Sequence, residues 1–80
     1  MEYSREVTIS KLMSILEHYF YFSTARPYSA AEHLANIIMG DRSTISEADF
    51  IVGCKDLINH TCRTEYDLYS RVIALHIEKN

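Results

Sequence analysis

Two glycines and one proline in eighty residues leave this chain few places to turn tightly. Hairpin turns draw on glycine for their left-handed backbone, so a β fold of many short strands is a poor match. Helices joined by polar loops are a good one. Length bounds the rest: residues 1–80 make a single domain. A domain this small buries only about 60% of the surface its unfolded chain exposes. Such chains commonly need a disulfide, a metal or a second subunit. Hydrophobic residues form 48% of the chain, which supports a folded core rather than disorder.

The apolar spacing predicts four helices. Helix 1 runs from about Thr8 to Phe22, with Ile9, Leu12, Met13, Leu16 and Phe20 on one face and Ile15, Tyr19 and Phe22 on a second. Pro27 ends this region, because it disfavours helical geometry at Arg26. Helix 2 is expected to open on a capping box, Ser29 with Glu32, to bury Leu34, Ala35 and Ile38, and to stop at Gly40. Helix 3 opens near Ser46 with Asp49 three residues on. Ile45 and Phe50 have the spacing of a hydrophobic staple. Phe50, Ile51, Cys54, Leu57, Ile58 and Thr61 then follow helical spacing. Helix 4 opens near Thr64 and carries two apolar stripes, one of Leu68, Val72 and Leu75 and one of Tyr66, Tyr69, Ile73 and Ile77. The expected fold is therefore all-α, a small bundle of three to four short helices. A monomer needs only one stripe per helix, so two predict a homodimer. The interface is placed on Tyr66, Tyr69, Ile73 and Ile77, with Tyr19, Phe20, Tyr21 and Phe22 close by.

Chemistry is hard to find. Cys54, His60 and Cys62 are near in sequence, but structural zinc sites show ligand pairs two to four residues apart, and none occurs here. On one helix, the two cysteines would lie roughly 12 Å apart, too far to bridge. Free thiols, no metal and no cofactor are expected. Nucleophile-elbow, phosphate-loop, dinucleotide and zinc-protease motifs are missing, so no enzyme activity is expected. The N-terminus lacks the pattern of a signal peptide, and the longest apolar run, Tyr19 to Phe22, is far short of a membrane span. A cytoplasmic protein with no membrane partner is expected. Helices 2 and 3 resemble a helix-turn-helix in outline. The formal net charge is −3, and Glu47, Asp49 and Asp56 face a single Lys55 on helix 3. That balance disfavours contact with phosphates.

From Tyr19-Phe20 onward the chain resembles the small enterobacterial two-component-system connector proteins, which include biofilm and acid-resistance regulators. The resemblance lies in Leu34 to Ile38 running into Gly40-Asp41, a capped helix from Phe50 to Ile58, then Asn59-His60-Thr61, and a closing helix from Tyr69 to Leu75. It rests on spacing and residue class over most of the chain. The segment from Gly40 to Phe50 is a residue longer here, and Tyr21-Phe22 has no counterpart. The resemblance implies a short, dimeric, non-enzymatic adaptor that binds a signalling protein in a response-regulator phosphorelay, in biofilm or stress regulation. Two other readings compete: a DNA-associated transcription or nucleoid modulator, and a small phage or plasmid inhibitor.

Overall fold

The structure is a computed structural model that describes residues 1–21, 27–59 and 66–79. Its elements are β1 (Glu2–Ser4), α1 (Arg5–Tyr19), α2 (Tyr28–Met39), β2 (Thr44–Ser46), α3 (Glu47–Asp56), a 3₁₀ turn (Leu57–Asn59) and α4 (Asp67–Lys79). The chain is a small all-α bundle to which a short antiparallel strand pair is added.

The two strands are joined in register Glu2 to Ser46, Tyr3 to Ile45 and Ser4 to Thr44. Three residues are too few to show an alternating pattern, which is why the sequence does not announce them. Their middle residues, Tyr3 and Ile45, both point into the core. Each strand runs straight into a helix through a serine cap. The Ser4 hydroxyl accepts from the Val7 N–H at 3.2 Å, and the Ser46 hydroxyl from the Asp49 N–H at 3.1 Å. These bonds satisfy amide groups that the first helical turn leaves unpaired. The Ser4 cap also moves the start of α1 three residues ahead of the expected Thr8. Thr8 is instead buried in the first turns, its hydroxyl donating to the Ser4 carbonyl at 2.9 Å.

The α2 ends differ from expectation at one side and agree at the other. Pro27 occupies the cap, and its carbonyl accepts from the Ala31 N–H at 3.0 Å. Ser29 lies inside the first turn, exposed, so the expected capping box does not form. Proline suits this place because its missing N–H would have no helical partner there. At the far end Gly40 has φ 60°, a left-handed conformation that stops the helix as expected. Two guanidinium groups then close on the carbonyl end of α2. Arg5 donates to Asn36 Oδ1 and to the carbonyls of Gly40 and Arg42, and Arg42 donates to the carbonyls of Ile38 and Met39. Positive charge at this end opposes the helix dipole.

The core is one cluster. Leu12 and Leu16 of α1, Leu34 and Ala35 of α2, Cys54 of α3, Leu57 of the 3₁₀ turn and Ile73 of α4 are all fully enclosed. α1 packs on α2 and α4, and α3 packs on α4 and α2. α3 ends at Asp56 and tightens into the 3₁₀ turn, so the expected run to Thr61 is cut short. Thr61 and the expected helix start at Thr64 lie outside the described residues. Ile51 and Ile58, expected on the buried stripe, are exposed, while Phe50, Cys54 and Leu57 are buried. α1 ends at Tyr19, and Phe20 takes an extended conformation. Among the described residues, no helix is long and apolar enough to cross a membrane.

Candidate functional site

The orientation of α4 decides which surface the molecule offers. Ile73, expected at a subunit interface, is fully buried inside the single chain, with Ser70 and Ala74 buried beside it. Tyr66, Tyr69 and Ile77 are half-buried against the same cluster. The two tyrosine rings pack on a side chain of α2 and on the residue that follows α1. Tyr69 meets Phe20 edge-on at 5.1 Å, and Tyr66 lies 4.9 Å from the ring of His33. Ile73 is therefore core rather than interface, a correction to the expected site, while Tyr66, Tyr69 and Ile77 keep part of their surface exposed. Ser70 and Ala74, small residues beside this stripe, are buried with Ile73.

The other stripe faces out. Leu68 is 58% exposed and Leu75 51%, with Val72 half-buried between them. Steps of four and three residues stack these side chains along one line of the helix. Tyr19, at the end of α1, lies alongside at 48% exposure. It is fixed there by a 2.7 Å hydrogen bond between its hydroxyl and His76 Nδ1 and by edge contacts with the rings of His18 and His76. Tyr19, Val72, Leu75, His76 and Lys79 line a shallow cleft of about 110 Å³. Arg71 pairs with Asp67 at 3.2 Å beside the strip, and Lys79 stands at its far end.

Of the eight residues proposed from sequence, the structure leaves Tyr19 and Tyr21 well exposed. It packs Phe20, Tyr66, Tyr69 and Ile77 partly against the core and buries Ile73. Phe22 lies outside the described residues. Leu68 and Leu75 are the most exposed apolar side chains of α4. A separate exposed group, Ile51, Val52 and Ile58, lies on α3 and the 3₁₀ turn among Glu47, Asp49 and Asp56. Lys55 lies beside Val52 and Asp56, and Asp49 pairs with Arg42 at 3.4 Å, so the charge there is mixed.

Cys54 is buried, and burial pushes its thiol up to about 12. Such a thiol stays protonated at neutral pH and is a poor nucleophile or metal ligand. Among the described residues, no three histidine, cysteine or acidic side chains gather as a metal-binding group. His60 and Cys62 lie outside the described residues. No family model matches the chain, and no curated protein or solved structure matches it either.

Proposed function

We propose that this protein is a non-enzymatic regulatory adaptor, a homodimer that binds a signalling protein, as its resemblance to the two-component connector proteins implies. One observation supports this reading most: the apolar strip of Leu68, Val72 and Leu75 with Tyr19 beside it. Single exposed apolar residues are ordinary. A continuous line on the side of a helix away from the core is characteristic of an interface. A two-fold axis uses one such patch twice, which makes a second copy the simplest occupant. The signalling protein then binds elsewhere on the dimer.

Sedimentation velocity at micromolar concentration, on wild type and on Leu68→Asp/Leu75→Asp, tests the assembly. The wild type is expected to be a dimer, and the variant a monomer with unchanged circular dichroism. A well-folded wild-type monomer would rule the dimer out. Tagged protein recovered from its native cell is expected to bring a response-regulator or phosphorelay component with it. Recovery of nucleic acid alone, lost steeply with salt, would replace this reading with the DNA-associated one.

A further inference from the structure

α1 and α3 each pack on α2 and α4 but scarcely on one another. Between them lies an open trough of about 460 Å³. Its floor is core seen from outside: Ile15 of α1, Phe50 of α3 and Ile77 of α4. Its α1 wall is Val7, Ser10, Lys11 and Ser14, an exposed line at helical steps.

Three features define what fits. First, among the described residues, Lys11 is the one charged side chain lining the trough. Its Nζ lies 4.6 Å above the Tyr3 ring, and no carboxylate of the described residues pairs with it. Second, the Ser10 and Ser14 hydroxyls make no hydrogen bond within the described chain. Third, the trough is open along its outer side. Small-molecule sites enclose about 70–90% of their ligand, which this shape does not do. A helix laid in a groove needs only one face covered. The wall from Val7 to Ile15 is roughly 12 Å long, about two helical turns. Serines at positions 10 and 14 keep that wall low.

We propose that the trough between α1 and α3 docks an amphipathic helix of a partner protein, apolar on the face it buries and acidic on the flank that meets Lys11. The chain as a whole is negative, so this attraction is local to Lys11 rather than a long-range field. The proposal rests on the reading of the protein as a binding module. It is tested apart from the dimer, whose assembly sedimentation reads.

The test is selection of phage-displayed random peptides, about sixteen residues long so that a helix can form, on the full chain and on Lys11→Glu and Ser14→Arg. Both substituted positions are exposed, and circular dichroism checks that each variant folds. Wild-type protein is expected to enrich peptides with apolar residues at helical spacing beside Asp or Glu. Ser14→Arg, which fills the wall, should weaken their binding by about tenfold or more. Lys11→Glu should exchange the selected acid for Lys or Arg. No enrichment, or enrichment indifferent to both variants, would overturn the proposal. Amide spectra of the wild type supply the other outcomes. Shifts at Val7, Ser14 and Ile77 with decanoate that selected peptides fail to displace would assign the trough to a small carboxylate. Shifts that grow with protein concentration alone would assign it to a second copy. Either result overturns the docked helix. Failure of the dimer is read separately, by sedimentation.

Discussion

Ser29 and Ser46 look alike in the sequence, each three residues ahead of an acidic residue. Only Ser46 caps a helix, because β2 delivers it in extended conformation, whereas Pro27 already holds the cap of α2. Ser46→Ala, and likewise Ser4→Ala, should cost about 1 kcal/mol in urea unfolding, while Ser29→Ala should change stability by only a few tenths. Gly53 is a second residue whose role packing alone assigns. A Cβ there would stand 2.7 Å from Ile38 Cγ2, and a buried β-branched side chain cannot swing aside. Gly53→Ala should therefore destabilise by about 1–3 kcal/mol despite its better helix propensity. In an Ile38→Ala background the same change should be neutral or stabilising. Cys54 links to pH. Burial raises its thiol from 9.0 to about 12, so across that window the unfolded chain releases a proton that the folded one keeps. That contribution is present below pH 9 and is lost as pH rises toward 12. Cys54→Ala should flatten the fall of stability over this range relative to wild type, as read by denaturant titration at each pH.

At the scale of elements, α4 is the instructive case. Its two stripes are both apolar, and spacing alone cannot say which one turns inward. The choice was made by neighbours: Ser70, Ile73 and Ala74 are buried together, and Tyr66 and Tyr69 meet the rings of His33 and Phe20. The consequence separates core from surface. Ile73→Asp places a charge at a fully buried position, and circular dichroism should show it unfolded at any concentration. Leu68→Asp/Leu75→Asp alters exposed positions and should keep the native spectrum. A folded Ile73→Asp protein would show that α4 turns the other way. The strand pair is the opposite case. β1 and β2 are invisible as patterns, yet Tyr3 and Ile45 lock the start of the chain beside the α2–α3 connection. Tyr3 adds a 3.1 Å hydrogen bond from its hydroxyl to Glu47, and its ring meets Phe50 edge-on at 5.5 Å.

For the whole molecule, the single cluster of buried side chains joins all four helices and both strands, so unfolding should be cooperative. In the proposed dimer, association adds to that stability by mass action. The melting temperature should rise between micromolar and hundred-micromolar protein, and the Leu68→Asp/Leu75→Asp variant should show no such rise. Much of this architecture was legible from local patterns. The scarcity of glycine and proline, the helical spacing of Leu12 and Leu16, the Ser46 cap and the Gly40 stop are properties of neighbouring residues, and short-range sterics and hydrogen bonding suffice to set them. The strand pair, the Pro27 cap and the direction α4 faces depend on residues far apart in the chain, whose shapes must fit at once. So does the trough, which exists only because α1 and α3 lean on common partners without closing on each other. The sequence by itself thus determined which segments are helical and where their apolar surface lies. Tertiary packing decided which of that surface is inside, because burial is a property of the neighbours a side chain acquires and not of the side chain alone.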